Sequence, residues 1–195
     1  MEKKTVSYFN ARKIAIIGML SSISMVLGVT PLGFIPIPPA NATIMHVPVV
    51  IGAILEGPAV GAMIGLIFGI FSIIRAITTP NILSFAFINP LVSVIPRILI
   101  GIFSYYAYKS IKIKNESLRI GFAAIIGSFT NTIGVLGMIY LIYLGKYASA
   151  VKLSTAAARK GIVSIALING LPEAVICAAI TIFVVLAIER TRVKR

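Results

Sequence analysis

Long apolar segments alternate with short polar or proline-rich segments along the whole chain. A membrane helix needs ~20 apolar residues to cross a ~30 Å hydrocarbon core, and most of these segments approach or exceed that length. The pattern predicts an all-α membrane protein whose 195 residues (1–195) form a single integral membrane domain. The six predicted transmembrane helices cover residues 14–29, 44–55, 59–77, 90–108, 120–144 and 161–188.

Proline, glycine and charge define the boundaries between these spans. Glu56-Gly57-Pro58 interrupts the apolar segment 44–77, which as one straight helix would overshoot the membrane. Span 2 is therefore short, and tilting or its flanks must extend it. Residues 145–160 are polar and contain four basic residues, so we predict a loop there. Gly170 and Pro172 are expected to distort the last span.

The distribution of basic residues predicts the orientation. The N-terminus, residues 109–119 and the C-terminus are all basic, whereas residues 30–43 and 78–89 contain no Lys or Arg. Cytoplasmic segments are enriched in Lys and Arg. With six spans, the rule places both termini in the cytoplasm. The basic segment 145–160 is the exception, because it falls on the outside.

Composition excludes a soluble protein. The chain is 58% hydrophobic and 12% charged, with a mean hydropathy of +1.03, whereas soluble domains are about 45–50% apolar and about a quarter charged. The net charge of +13 comes from 18 basic against 5 acidic residues. Because the cations lie between and outside the apolar segments, they serve orientation and contact with membrane lipid, and we predict no nucleic-acid partner.

The residue types that most catalytic and metal sites need are scarce. Cys177 is the only cysteine, His46 is the only histidine, and aspartate is absent. Most hydrolase triads and metal sites cannot be assembled from this set, and no phosphate-binding loop of the ATPase type occurs. We therefore predict no enzyme activity, no catalytic residue, no metal site and no cofactor. Any uphill transport must take its energy from elsewhere.

Small residues form two stripes at helical spacing. On span 1, Gly18 and Ser22 lie one turn apart, which indicates a close helix contact within the protein or with another subunit. Stripes of this kind let helix backbones approach closely. The stripe on span 3 indicates either internal packing or a helix that slides against a partner. Its members are Gly57, Gly61, Gly65 and Gly69.

Arg97 is the leading candidate for ligand binding. It lies roughly 10 Å along the helix from Pro90, and an ionised Arg at membrane depth is a functional hypothesis by default. Pro96 beside it loosens the helix and frees a carbonyl. Arg97 either pairs with Glu173 or contacts a ligand, and the two roles are compatible.

Further polar candidates lie on the last two spans. Asn169 and Glu173 are four residues apart, hence on one face of span 6, and Asn131 lies midway along span 5. Interrupted helices are typical of transporter binding sites, although interhelical hydrogen bonding is the alternative role. The remaining candidates are Asn89, Arg75, which could instead snorkel to the interface, and His46, which could instead be structural.

Together these residues predict a small-molecule site in the outer half of spans 4 to 6. The proline-rich segment 30–43 is apolar and uncharged, so it is expected to pack on the protein as a lid over this site. Arg97 favours a carboxylate or another polar ligand, because guanidinium groups bind carboxylates by charge-assisted hydrogen bonds.

The motifs resemble those of the substrate-binding S components of energy-coupling factor (ECF) vitamin transporters. The resemblance covers most of the chain, and its last two segments look most like the pantothenate-type branch. It rests on the small-residue span 1, the segment 43–53, Glu56-Gly57-Pro58 with the glycine stripe, and the segments 89–101 and 169–174.

The resemblance implies a plasma-membrane protein that captures a vitamin from outside with high affinity. It also implies docking on a membrane scaffold subunit and two cytoplasmic ATPases, whose ATP hydrolysis drives delivery inward. By position, Ala15, Gly18 and Ser22 would face the scaffold, although Gly18 and Ser22 replace the expected Ala-x-x-x-Ala pattern. The segment 30–43, with Pro36, Pro38 and Asn41, would form the gate.

Pantothenate suits the polar residues best. Its carboxylate matches Arg97, and its amide and hydroxyl groups match Asn131, Asn169 or Glu173. Pyridoxine, hydroxymethylpyrimidine, riboflavin and folate remain alternatives, although riboflavin would favour more aromatic stacking than a chain without Trp offers. A secondary transporter, a structural membrane subunit and a membrane-embedded enzyme are the competing classes.

Overall fold

The computed structural model describes residues 10–37 and 40–193, which are almost entirely helical. One exception is a pair of antiparallel strands, β1 (Phe34–Ile37) and β2 (Ala40–Thr43), in which Phe34 lies opposite Thr43; we call this pair the β-ribbon. The helices in the described residues are α1 (Ala11–Val29), α2 (Val47–Glu56), α3 (Pro58–Thr78), α4 (Ser84–Phe87), α5 (Pro90–Ser93), α6 (Ile95–Ser110), α7 (Glu116–Ala150) and α8 (Thr155–Val193).

Five segments are long and apolar enough to cross a membrane: Ala11–Val29, Pro58–Thr78, Pro90–Ser110, Glu116–Ala150 and Thr155–Thr191. The sixth predicted span corresponds to α2, which has ten residues and is therefore about 15 Å long, half the ~30 Å core. The all-α membrane fold is confirmed, whereas α2 is too short to cross by itself.

The predicted break between α2 and α3 is confirmed. Gly57 has φ +100° and ψ 173°, a backbone conformation that is essentially restricted to glycine. Pro58 occupies the first turn of α3, where its fixed φ suits a helix start and its missing N–H has no cost. The chain therefore reverses sharply between the two helices.

The glycine stripe of α3 packs inside the protein. A Cβ atom added to Gly61 would lie 2.5 Å from the Cβ of Ala53 on α2, and one added to Gly69 would lie 2.7 Å from the carbonyl oxygen of Ser93 on α5. Gly65 faces the backbone of Arg97 on α6 in the same way. The packing interpretation is thus confirmed, and the stripe brings α3 against the segment that carries Arg97.

The predicted loop at 145–160 is wrong. Helix α7 continues to Ala150 and α8 begins at Thr155, because the Lys, Arg and Ala residues of this segment are good helix formers and the two helices pack along each other. The cations lie near the tip of this helical pair, where Lys146 and Arg159 stand over the rings of Tyr143 and Tyr140.

The last span was expected to be distorted at Gly170 and Pro172, but the helix is not interrupted there. Helix α8 continues through Pro172. It packs extensively against α7, and this contact stabilises a helix in which one backbone hydrogen bond is lost.

The proline-rich segment before α2 is more regular than predicted. A single 3-10 turn, Pro31–Gly33, leads into the β-ribbon. Proline excludes a helix there but is compatible with a strand whose N–H is not needed for pairing. The ribbon contacts α8 through β2. Pro38 lies outside the described residues, and Asn41 lies within β2.

Helix α2 lies at the centre of the larger core. Every residue from Val47 to Ile54 is buried, and the core continues through Ile64 and Phe68 of α3 to Ile100 of α6. A smaller apolar cluster joins α4 and α5 to the α7–α8 end, around Val92 and Ile139. A cavity lies between elements of these two clusters.

Candidate substrate-binding site

A cavity of about 360 Å³ lies between the β-ribbon, α3, α6, α7 and α8, with the segment 79–87 along one side. Its wall is largely apolar, with aromatic side chains from α3 and α4. The charged side chains that line it are Arg75, Arg97 and Glu173. Asn131, Thr132 and Asn169 add polar groups. The structure thus brings together five of the predicted binding residues: Arg75, Arg97, Asn131, Asn169 and Glu173.

Arg97 is buried, with 6% of its surface exposed. Its Nη1 donates a hydrogen bond to the carbonyl oxygen of Val92 at 2.7 Å, whereas its Nε has no partner among the described residues. The guanidinium carbon lies 5.6 Å from the ring centre of Phe68 and 5.4 Å from that of Phe87. Two aromatic rings therefore flank a guanidinium group that retains unused donor capacity.

The position of Arg97 follows from Pro96. In a regular helix the carbonyl of Val92 would accept from the N–H of residue 96, which proline lacks. Helix geometry is interrupted at Val94, and the Arg97 guanidinium takes over the carbonyl that Pro96 leaves without a donor. The prediction that Pro96 frees a carbonyl is confirmed.

Glu173 binds the β-ribbon rather than Arg97. Its Oε1 accepts the backbone N–H of Thr43 at 2.6 Å and the Thr43 hydroxyl at 3.3 Å. Its Oε2 accepts the hydroxyl of Thr132 at 3.2 Å. Within the described part of the chain, no ion pair joins Arg97 to Glu173 or to another carboxylate. The sequence allowed an ion pair between Arg97 and Glu173, and the structure does not contain it.

The two asparagines contribute amide groups from facing helices. Asn131 of α7 is half-buried, and its Oδ1 has no partner among the described residues. Asn169 of α8 is 4% exposed and lies one turn before Glu173. Each carboxamide can both donate and accept a hydrogen bond, which suits a ligand that has hydroxyl and amide groups.

Arg75 lines the cavity from the last turn of α3. Its Nη1 donates a short hydrogen bond to the carbonyl of Gly28, at the end of α1. Its guanidinium carbon lies 4.8 Å from the ring centre of Phe34 in β1. Arg75 therefore connects α1, α3 and the β-ribbon, and it does not snorkel away from the protein.

Two predicted binding residues do not line the cavity. His46 is fully buried at the start of α2, and neither ring nitrogen has a hydrogen-bond partner in the described residues. Asn89 caps α5, since its Oδ1 accepts the N–H of Leu91 at 2.9 Å and its Nδ2 donates to the Tyr143 hydroxyl at 3.0 Å. The structure gives Asn89 a local role in helix capping.

The small residues of α1 face outward. Ala15, Gly18 and Ser22 are all exposed, whereas Ile17, Ser21, Ser24 and Gly28 form the buried side of the helix. A Cβ added to Gly18 would have no neighbour within 4 Å.

Of the predicted gate residues, Pro36 is exposed in β1.

Sequence reasoning weighed Phe87 as the wall of an external pocket or part of an interfacial belt, but it missed Phe68 and Phe71 and the threonine of the ribbon. Phe68 and Ser72 lie on the same face of α3 as the predicted Arg75, at spacings of four and three, and this spacing could have revealed them. No local signal marks Thr43, because its contact with Glu173 joins residues 130 positions apart.

The comparisons with known proteins identify the family. The family model for the ECF transporter substrate-specific component matches residues 12–185. The chain belongs to this family. The family predicted from the motifs is therefore confirmed, and the protein is an S component: a multi-pass membrane subunit for vitamin uptake that is not itself an enzyme.

Two curated relatives are similar over more than half of their length. The S component is 34% identical over 168 residues to the pantothenic acid transporter PanT of Lactococcus lactis subsp. cremoris. The aligned region covers 79% of this chain and 81% of the relative. It is 39% identical over 115 residues to the pantothenate transporter PanT of Leuconostoc mesenteroides subsp. mesenteroides, and this aligned region covers 56% of each chain.

Proposed function

We propose that this S component binds pantothenate with high affinity and that Arg97 holds its carboxylate. The observation that carries the proposal is the state of Arg97: it is buried against the cavity, it has no ion-pair partner in the described residues, and its Nε is unused. A buried cation without a counter-ion is costly, and a ligand carboxylate would supply the missing charge.

The rest of the cavity suits the same ligand. Its volume of about 360 Å³ falls in the ~300–1,000 Å³ range of small-molecule pockets. Phe68, Phe71 and Val135 offer apolar surface for the dimethyl group of pantothenate. Asn131 and Asn169 offer hydrogen bonds for its amide and hydroxyl groups. The names of the two relatives support this choice of vitamin over the alternatives.

We further infer the assembly and orientation that the family resemblance implies. The exposed small residues Ala15, Gly18 and Ser22 would dock α1 on the scaffold subunit, which joins two cytoplasmic ATPases. Both termini would lie in the cytoplasm, and α2 with its flanks would provide the sixth crossing. ATP hydrolysis by the partners would then supply the energy for uptake.

Titration calorimetry of the purified protein against a vitamin panel tests the substrate. Pantothenate should bind, and Arg97→Ala should weaken binding at least about thirtyfold, because a buried charge pair loses one partner. Arg119→Ala is the matched control, since Arg119 pairs with Glu116 outside the cavity. Binding of pyridoxine or riboflavin instead of pantothenate would refute the substrate, as would full affinity in Arg97→Ala.

Reconstituted vesicles test the energy source. Uptake should require the scaffold, both ATPases and ATP, and it should survive collapse of the ion gradients. Uptake by the S component alone that stops when the gradients collapse would instead establish a secondary transporter.

A further inference from the structure

Two charged side chains hold the same rung of the β-ribbon. Phe34 and Thr43 are directly opposed in the register of the two strands. The guanidinium of Arg75 lies over the ring of Phe34, and the carboxyl group of Glu173 accepts both the N–H and the hydroxyl of Thr43. The ribbon is thus contacted from α3 on one strand and from α8 on the other.

This rung is the base of the ribbon. The N–H of Ile44 donates to the carbonyl of Gly33 at 3.1 Å, which joins the residues immediately outside the Phe34–Thr43 pair. Because the two strands are hydrogen-bonded to each other, a contact that holds either strand at this rung restrains both strands.

The contacts of Arg75 and Glu173 are directed to the protein. Arg75 also donates to the carbonyl of Gly28, and the second oxygen of Glu173 accepts from Thr132. Arg97 differs, because its Nε has no partner in the described chain. Of the three charged side chains that line the cavity, two are therefore bound to the ribbon and one retains a free donor.

We propose that Arg75 and Glu173 are positioning residues that clamp the base of the β-ribbon beside the cavity, and that opening of the ribbon requires release of this clamp. The division of roles rests on the proposed function, since it leaves Arg97 as the charged side chain that meets the ligand. It reassigns Arg75 and Glu173, which the sequence suggested as ligand contacts.

The chemistry of the Glu173 contact separates this role from ligand binding. The donors from the ribbon are the N–H and the hydroxyl of Thr43, both to Oε1 of Glu173, so the clamp needs an acceptor oxygen at position 173 but no negative charge. Gln keeps such an oxygen, whereas Leu removes it with little loss of volume. Glu173→Gln should therefore preserve the clamp, and Glu173→Leu should release it.

Reaction of a cavity cysteine measures ribbon opening without any ligand. Ser72 lines the cavity, so Ser72→Cys in a Cys177→Ala background places a single thiol there, which a water-soluble maleimide can titrate in the detergent-purified protein. Glu173→Leu and Arg75→Gln should each accelerate labelling about tenfold or more, because the first removes the hydrogen bonds from Thr43 and the second removes the cation–π contact with Phe34. Glu173→Gln should label at the parent rate.

Two further variants keep the result interpretable. Glu116→Leu deletes a carboxylate at the start of α7, away from the cavity lining, and it should label at the parent rate. Phe34→Leu removes the ring over which Arg75 lies while both charged residues remain, and it should accelerate labelling even if Glu173→Leu fails to fold.

The outcomes distinguish the clamp from the substrate assignment. Unchanged labelling in both Glu173→Leu and Arg75→Gln would overturn the clamp, and so would Glu173→Gln labelling as fast as Glu173→Leu. Faster pantothenate dissociation in the accelerated variants would support it. If the parent protein binds no pantothenate, the substrate assignment fails, whereas the labelling rates still decide whether the clamp exists.

Discussion

Gly65 on α3 lies directly against the backbone of Arg97 on α6. A Cβ atom at position 65 would lie 2.7 Å from the carbonyl carbon of Arg97 and 3.1 Å from the nitrogen of Ile98. Real side chains do not approach a backbone so closely, so the two helices can meet only because residue 65 has no side chain. The contact also determines how far Arg97 lies from the aromatic side chain of Phe68 on α3.

Gly65→Ala should therefore separate α3 from α6 and displace Arg97. We expect a lower melting temperature, with a loss of stability of about 1–3 kcal/mol from overpacking, and weaker pantothenate binding. Thermal unfolding and calorimetry measure the two effects. Gly137→Ala is the control, because a Cβ there meets nothing within 4 Å and alanine favours the helix. Equal behaviour of the two variants would refute the close-contact argument.

Phe87→Leu should weaken pantothenate binding several-fold. The Phe87 ring lies 5.4 Å from the Arg97 guanidinium, and cation–π contacts contribute ~0.5–2 kcal/mol. Leucine retains the apolar surface but lacks the ring, so Arg97 should become less well ordered. Titration calorimetry gives the affinity ratio.

Phe85→Leu is the matched control for this prediction. Phe85 packs edge-on against Tyr143 with ring centres 5.6 Å apart, and it does not line the cavity. A similar loss of affinity in both variants would show that the aromatic packing of α4, rather than the contact with Arg97, is responsible.

Gly18→Leu and Ser22→Leu should block assembly with the scaffold subunit without affecting vitamin binding. Both positions are exposed on α1, and a bulky side chain on a small-residue face prevents the close approach of a second helix. Co-purification with the scaffold and the ATPases measures assembly, and calorimetry measures binding. Gly137→Leu adds the same bulk on α7 and should assemble normally. Normal assembly of both α1 variants would exclude this face as the docking surface.

The proposed orientation predicts opposite accessibility for two exposed loop positions. In a Cys177→Ala background, Ile82→Cys should react with a membrane-impermeant thiol reagent in intact cells. Lys112→Cys should react only after the membrane is permeabilised. Both positions are exposed in the structure, so access depends on the side of the membrane. The reverse pattern would invert the topology and place both termini outside.

Much of the site was predictable because it depends on local chemistry. Arg97 was identified by its charge within an apolar segment, and the carbonyl that it bonds was predicted to be free because of Pro96. Asn131, Asn169 and Glu173 were identified as polar residues at membrane depth. His46 at the start of span 2 was a further candidate, but it does not line the cavity, because residue type does not reveal which way a helix start faces.

The boundaries were least predictable where two signals compete. Four basic residues in 145–160 suggested a solvated loop, yet Lys and Arg also favour helix. Apolar packing also continues close to the tip of the α7–α8 pair, where Ala148 and Ala158 belong to one buried cluster. The β-ribbon was missed for a related reason, since its strands are short and are stabilised by each other and by Glu173 rather than by their own sequence pattern.

The apolar helices, the sharp reversal at Gly57-Pro58 and the family can be inferred from the amino-acid sequence alone, because hydrophobicity, backbone restriction and motifs are local properties. Which polar groups meet depends on the fold. Glu173 and Thr43 are 130 positions apart, and Phe68 and Phe87 approach Arg97 from separate helices. Such partners depend on how the helices pack. The carboxylate of Glu173 could have paired with Arg97, but it binds the β-ribbon because its nearest donors are the N–H and hydroxyl of Thr43.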